Sequence, residues 1–239
     1  MKDKIIVITG ASEGLGRCVA GKLAGQGATV VLVAHEADKL QRAAMEIGAN
    51  ARSYTCDISS SEQIRRVIGE IWSDFGRIDI LINNAGVWTD EEIEKNNPAQ
   101  RRKVLEVNAL GTIEVTKTLE PYFRKQDRGH ILNVISTSGT VDTSSGDNTR
   151  WQTYGASKWA LAGFTRAFKD SLEGTGVKVT GFYPGGFESS LYEAANRPDA
   201  HDQPWMMRTE DVADALIFCL TRPDDVLVEK MVVTKFRNA

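Results

Sequence analysis

Thr9-Gly10-Ala11-Ser12-Glu13-Gly14-Leu15-Gly16 follows the apolar run Ile5-Ile6-Val7-Ile8 and leads into a stretch with helical patterning. A strand that ends in glycines and passes straight into a helix makes a tight βα turn. Glycine suits such a turn because the backbone must bend sharply and approach other groups closely. The helix start then presents free N–H groups and a partial positive charge, which suit a phosphate. The spacing is G-x-x-x-G-x-G, not the better-known G-x-G-x-x-G of dinucleotide sites. Taken alone, the stretch also fits a plain turn with packing glycines.

Working outward, short β-branched runs alternate with longer amphipathic stretches. The runs are 5–9, 29–33, 53–56, 78–82, 131–135, 177–182 and 226–233, and several are apolar throughout. That pattern suits strands buried on both faces of a parallel sheet. The helical stretches are 16–26, 37–47, 62–75, 99–124, 153–172 and 209–220. Repeated βα alternation predicts an α/β chain: a three-layer, doubly wound fold with a mostly or fully parallel sheet of about seven strands. The whole of 1–239 reads as a single domain. Two stretches lack periodicity, 140–152 and 187–208. Long loops in a compact domain are often functional, and 187–208 is read as a substrate lid.

Composition narrows the function. The chain has 239 residues, 41% hydrophobic and 26% charged, with a net charge of −3. Those fractions are ordinary for a globular protein, and no Lys/Arg run suggests a nucleic-acid partner. Cys18, Cys56 and Cys219 are scattered and odd in number, which reads as reduced and cytoplasmic. His35, His130 and His201 do not cluster with them, so no metal site is expected. The N-terminal apolar run is too short for a signal-peptide core. No stretch approaches the ~18 apolar residues of a membrane span, so no membrane partner is expected.

Tyr154-Gly155-Ala156-Ser157-Lys158 opens a helical stretch. Residues four apart share a helix face, so phenol and ammonium sit side by side. A free phenol titrates near ~10, too high for easy proton exchange at neutral pH. A neighbouring cation favours phenolate and lowers that value. A lone Y-x-x-x-K is commonly a surface pair, but this one has company. Ser136 stands in Asn133-Val134-Ile135-Ser136-Thr137-Ser138-Gly139 at a strand end, with Thr137 or Ser138 as alternative hydroxyls. Pro184-Gly185-Gly186-Phe187-Glu188-Ser189 ends the next strand. Asn83-Asn84-Ala85-Gly86 ends the fourth, and Asp57-Ile58 follows the third. Such strand ends are where open α/β sheets bind ligands. An Asp after a strand also serves as a turn or cap residue. Asn108 interrupts a stretch otherwise good for helix, which hints at a purpose.

The ordered set resembles the short-chain dehydrogenase/reductase family over nearly the whole chain. Its T-G-x-x-x-G-x-G is Thr9 to Gly16, its N-N-A-G is Asn83 to Gly86, and its helix asparagine is Asn108. Its strand-end serine is Ser136, its Y-x-x-x-K is Tyr154 and Lys158, and its P-G-x-x-x-T is Pro184-Gly185 with Ser189 in the threonine place. The resemblance implies a Rossmann-fold oxidoreductase that interconverts a carbonyl and an alcohol with NAD(P)(H). It implies Tyr154 as general acid/base and Lys158 on the nicotinamide ribose. It implies Ser136 on the substrate oxygen and Asn108 holding a relay water. It implies cofactor contacts from Gly10, Ser12, Glu13, Gly14, Leu15, Gly16, His35, Asp57, Ile58, Asn84, Ala85, Gly86, Tyr154, Lys158, Pro184, Gly185 and Ser189. One departure is that Ser136 and Tyr154 lie further apart than is usual, the excess falling in 140–152.

The second strand ends in Ala34, where NAD-preferring relatives carry Asp, and His35 follows. Arg17 is a further candidate for a 2′-phosphate, while Glu13 and Glu36 oppose one. The balance favours NADP(H) over NAD(H). Trp88, Trp151 and Trp205 suggest an aromatic-lined substrate site or ordinary packing. Met206-Met207 suits an adaptable apolar surface or core. The expected partner is a small carbonyl or alcohol, and the resemblance implies a homotetramer or homodimer through 99–124 and 153–172 or the last strand. Two other functions remain open: a non-catalytic dinucleotide sensor or scaffold of the same fold, and a nucleotide-sugar epimerase or dehydratase.

Overall fold

The seven strands of the computed structural model form one all-parallel sheet, in the order β3-β2-β1-β4-β5-β6-β7. The structure describes residues 1–89, 97–140, 152–194 and 203–236. The strands are β1 (Ile5–Thr9), β2 (Thr29–Ala34), β3 (Ala51–Thr55), β4 (Ile80–Asn83), β5 (Gly129–Val134), β6 (Val177–Pro184) and β7 (Lys230–Val233). Every residue of β1 is buried, as the apolar run requires of a central strand covered on both faces. The predicted doubly wound sheet is therefore present. The edge strands differ from expectation in extent: β3 begins earlier than the 53–56 run, and β7 is shorter than the 226–233 run.

Helices α1 (Gly14–Gly25), α2 (Ala37–Ile47) and α8 (Thr209–Leu220) cover one face, packing Val19, Leu23, Leu40 and Leu216 against Ile6, Ile8 and Leu32. Helices α3 (Ser61–Phe75), α5 (Thr112–Gln126) and α6 (Gln152–Ser171) cover the other, with Ile64, Leu119, Phe123 and Phe168 against Val7, Val31 and Ile131. Helix α3 is capped at both ends: Ser60 Oγ accepts from Gln63 N at 3.4 Å, and Gly76 ends the helix at φ 64°.

The stretch 99–124 is not one helix. It divides into α4 (Pro98–Leu105), a π-helical turn (Glu106–Gly111) and α5. The helix-weak Asn108 lies inside that break. A π turn adds one residue to the local coil and is frequent at functional sites.

Strand order reverses between β1 and β4. From β1 the chain builds outward to β2 and β3, and from β4 it builds the opposite way. At such a switch point the connections diverge and leave a crevice at the strands' C-terminal ends. The Gly10–Gly14 loop and Asn83–Gly86 both end there, so topology alone brings two distant motifs together.

Candidate active site

The glycine-rich loop is closed by contacts that only glycine permits. Gly10 has φ +64°, and a Cβ there would sit 2.7 Å from Ala85 Cα. A Cβ on Gly16 would sit 2.3 Å from Gly10 O and 2.6 Å from Asn84 Nδ2. Asn84 Nδ2 in turn donates to Thr9 O at 3.1 Å and Gly10 O at 3.0 Å. Thr9 Oγ1 accepts from the N–H groups of Asn84 and Ala85. The two strand ends are thus tied into one unit. Helix α1 has no side-chain cap: Glu13 precedes it in extended conformation, and its carboxylate accepts no N–H of the first turn. Its first N–H groups are left to face the crevice.

The crevice is a cleft of about 1630 Å³. That exceeds the roughly 300–1,000 Å³ of a typical small-ligand pocket and leaves room for a dinucleotide beside a substrate. Gly10, Ser12, Glu13, Gly14 and Leu15 line it from the loop, and His35 from the end of β2. Asp57, Ile58, Asn84, Ala85 and Gly86 line its middle, and Pro184, Gly185 and Ser189 its far wall. Gly16 lies buried beneath the loop instead of on the wall. Burial acts to raise the Asp57 carboxyl, but hydrogen bonds from Ser59 N and Oγ, with His35 and Lys103 nearby, hold it below its usual value. The turn role and the cleft position of Asp57 coexist.

Arg17 departs from expectation. Its guanidinium bonds Glu46, and it lines a separate shallow groove with Cys18 and Gly21. It follows Gly16 by one helix position, about 100° further round the axis, which carries it away from the loop's cleft side. Lys39 is a cation that the sequence reading did not single out. Its Nζ lies 3.2 Å from Glu13 and 3.0 Å from Glu36, two carboxylates on the cleft wall. Three residues into α2, it looked like any solvated helix lysine.

At the other end, the structure gathers all four residues singled out for chemistry. The Ser136 hydroxyl hydrogen-bonds the Tyr154 phenol. Of the three candidate hydroxyls, Ser136 is therefore the one that reaches Tyr154, whatever the length of 140–152. Its Oγ also accepts from Ser138 N at 3.1 Å. Ser136 has φ 151° and ψ 158°, a region nearly confined to glycine. The turn thus spends local backbone strain to aim this hydroxyl.

Lys158 is buried. Its Nζ donates to Val134 O at 3.1 Å and stands 5.5 Å from the centre of the Tyr154 ring. Burial lowers its pKa to about 8. Tyr154 goes the opposite way from the expected lowering: burial pushes its phenol well above the usual 10, against a smaller pull from Ser136. The ammonium faces the ring and the Val134 carbonyl, and desolvation of the phenol dominates.

Asn108 is fully buried in the π turn. Its Oδ1 accepts from Val87 N at 2.7 Å, and its Nδ2 donates to Val87 O at 2.8 Å and Ser157 Oγ at 3.1 Å. The amide clasps the segment after Asn83–Gly86 and the helix that carries Lys158. Both the oxygen and the nitrogen of this side chain are thus engaged within the protein.

The stems of the 187–208 stretch are joined. Phe187 and Met207 form a parallel bridge, with Met207 N donating to Gly186 O at 3.0 Å and Glu188 N to Met207 O at 3.0 Å. A short helix, α7 (Leu191–Ala194), follows the first stem. Trp88 and Trp205 line the cleft as expected, joined by Tyr192, which no motif had marked. Met206 packs with them, whereas Met207 belongs to the main core. Trp151, His201 and the centre of the 140–152 stretch lie outside the described residues. Among the described residues there is no cluster of metal-ligating side chains and no helix long and apolar enough to cross a membrane.

Comparison with known proteins bears on this geometry. The family model for short chain dehydrogenase matches residues 4–200. A protein of Staphylococcus epidermidis strain RP62A, described as an uncharacterized oxidoreductase, is 32% identical over 233 residues, covering 98% of this chain and 97% of its own. The solved structure of a metagenomic short-chain oxidoreductase in complex with NADP is 29% identical, with TM-score 0.78 and coverage of 98% and 97% of the two chains. That of a 3-ketoacyl-(acyl-carrier-protein) reductase from Brucella melitensis complexed with NADH is 27% identical, with TM-score 0.84 and the same coverage. Fold, site and relatives together define an oxidoreductase of the dehydrogenase or reductase kind. The chain belongs to the short-chain dehydrogenase family.

Proposed function

We propose that this enzyme interconverts a carbonyl and an alcohol, with Tyr154 exchanging the proton at the reacting oxygen. The observation that carries the reading is the Tyr154 phenol, bonded to Ser136 and backed by Lys158, in the same cleft as the uncapped start of α1. Bound there, a nicotinamide dinucleotide supplies or accepts the hydride. The phenol's raised pKa keeps it protonated at neutral pH, as a general acid for reduction must be. Ser136 Oγ binds the substrate oxygen as charge grows on it. Lys158 would hold the ribose hydroxyls of a bound dinucleotide, and its charge favours phenolate once the proton has left. Asn108 holds Val87 and Ser157 in place and so fixes the helix that bears Lys158. The test is turnover, read as NAD(P)H absorbance against ketones, diketones, aldehydes and alcohols. Consumption of the cofactor with one class of carbonyl is expected, and none with any of them sinks the reading.

For the cofactor we favour NADP(H). Ala34 offers no carboxylate to a ribose 2′-OH, His35 opens onto the cleft, and Lys39 stands behind Glu13 and Glu36. A 2′-phosphate would compete with those carboxylates for Lys39. A hydrogen bond to a charged group contributes roughly 1.5–3 kcal/mol. Lys39→Ala is therefore expected to lower kcat/KM for NADPH by about tenfold or more and to leave NADH nearly unchanged. An intact enzyme that prefers NADH overturns this choice.

We read the chain as one catalytic unit that works in the cytoplasm as a homotetramer or homodimer. Free, scattered cysteines support the compartment. Exposed Leu105, Leu110 and Trp159 on α4, the π turn and α6 support self-association. Sedimentation is expected to show a dimer or tetramer that Trp159→Glu shifts toward monomer. A monomeric wild type refutes the assembly.

A further inference from the structure

The lid's first stem sets a hydroxyl against the glycine-rich loop, one place beyond the position that the P-G-x-x-x-T pattern marks. Gly14 is the first residue of α1 and has φ +55°. A Cβ on it would stand 3.4 Å from Ser190 Oγ. Gly14 follows β1 and Ser190 follows β6, so only the fold brings them together. Both line the cleft. A hydroxyl from the lid thus borders the uncapped helix start, whose N–H groups suit a phosphate.

The backbone on either side of Ser190 is anchored. Glu188 N donates to Met207 O at 3.0 Å, and Glu188 O accepts from Thr209 Oγ1. Ser189 Oγ accepts from Leu191 N at 3.2 Å, a side-chain turn that opens α7. Ser190 stands between these held neighbours, so its place beside Gly14 is set by the protein's own hydrogen bonds.

The electrostatics favour a hydroxyl here. Glu13 brings a negative charge next to the helix start, and Arg17 turns away to Glu46. Both facts raise the worth of a neutral donor that reaches this point. A hydrogen bond to an ionised acceptor is roughly twice as strong as one between neutral groups. Ser190 also directly precedes α7, and Leu191 and Tyr192 of α7 line the cleft. Tyr192 meets Trp88 edge to face, with centroids 5.7 Å apart, in the cluster against which Tyr154 packs. A phosphate gripped from both walls would tie the loop to the segment that brings Tyr192 toward Tyr154.

We propose that Ser190 is a lid-borne hydrogen-bond donor to the pyrophosphate of the bound dinucleotide, and that this contact couples dinucleotide binding to the seating of α7 and Tyr192 beside Tyr154. The proposal rests on the nicotinamide-dinucleotide reading of the same cleft. Ser190 acts on the chemistry only through α7, so it is a positioning residue.

The test uses ADP-ribose and its 2′-phosphate, which carry the pyrophosphate but no nicotinamide, so no turnover is needed. Affinity is measured by titration calorimetry for these two and for NADPH and NADH. Seating of α7 is read as hydrogen exchange of the Leu191–Ala194 amides by mass spectrometry, free and saturated with the tighter ADP-ribose form. In the wild type, saturation should slow that exchange. Ser190→Ala should weaken every pyrophosphate-bearing ligand by about tenfold, NADPH and NADH alike, as expected for a lost bond to a charged group. At saturation the variant should no longer protect α7. Ser190→Thr keeps a hydroxyl and should restore both affinity and protection. Without ligand, all variants should melt with the wild type, which separates a lost contact from a damaged fold. Unchanged affinity in Ser190→Ala overturns the contact, as does a Ser189→Ala variant that alone reproduces the loss. Weakened binding with α7 still protected overturns the coupling. A wild type that binds none of the four ligands overturns the dinucleotide reading itself and the contact with it, whereas tight binding that ignores Ser190 overturns the contact alone.

Discussion

Tyr154→Phe is expected to lower kcat by about a hundred- to ten-thousandfold, the usual contribution of a placed general acid. The ring remains, so its packing beside Tyr192 and the Lys158 ammonium stays filled. Only the hydroxyl that bonds Ser136 is lost. Cofactor affinity, followed by NAD(P)H fluorescence, should hold within about threefold, because the uncapped start of α1, where we propose the phosphates bind, belongs to the glycine-loop side of the cleft. The loss should fall on kcat, as expected when an interaction made only in the transition state is removed. A variant that keeps a tenth or more of wild-type kcat would show that water or Ser136 supplies the proton.

Lys158→Met should separate activity from stability. The ammonium is buried, and the Val134 carbonyl is its hydrogen-bond acceptor. Its pKa falls from 10.5 in the free side chain to about 8 in the fold. Between those values the unfolded chain binds more protons, so stability rises with pH across that window. Below pH 8 the full cost of burying the charge is present, about 3 kcal/mol at 1.36 kcal/mol per unit. Methionine fills a similar volume without the charge. At neutral pH and without added cofactor, the variant should melt several degrees above wild type, given about 2–4 °C per kcal/mol for a chain of this size. The gap should close as pH rises from 8 to 10.5, while kcat/KM stays at least about a hundredfold down. A lower melting point in the variant, or a gap that ignores pH, would mean that the lysine stabilises the fold.

The features legible in the sequence were those set by local chemistry. The loop from Thr9 to Gly16 and the turn from Asn83 to Gly86 carry their own geometry, since glycine and small polar residues are tolerated where others clash. Tyr154 and Lys158 were legible because helical spacing forces them onto one face. The pKa of that phenol was not legible, because it depends on how deeply the lid's aromatic residues desolvate it. Tyr192 escaped notice because its partners, Trp88 and Trp205, arrive from other parts of the chain. Lys39 and Arg17 exchanged expected places for a similar reason. A lysine early in α2 gains meaning only when β1 and β2 bring Glu13 and Glu36 together, and Arg17 was judged by nearness in sequence instead of helix azimuth.

The π turn at Glu106–Gly111 has a consequence for how this gene tolerates change. It amounts to one surplus residue wound into an otherwise regular coil. Loss of a single codon there would let the chain relax to an uninterrupted α-helix, which its composition already favours. Each residue turns the helix by about 100°, so the two halves would shift in phase by that angle. Asn108 would swing away from Val87 and Ser157, and the register of everything before it would slip against the sheet. The shorter chain would gain in helical regularity and lose the clasp that holds its chemistry in place.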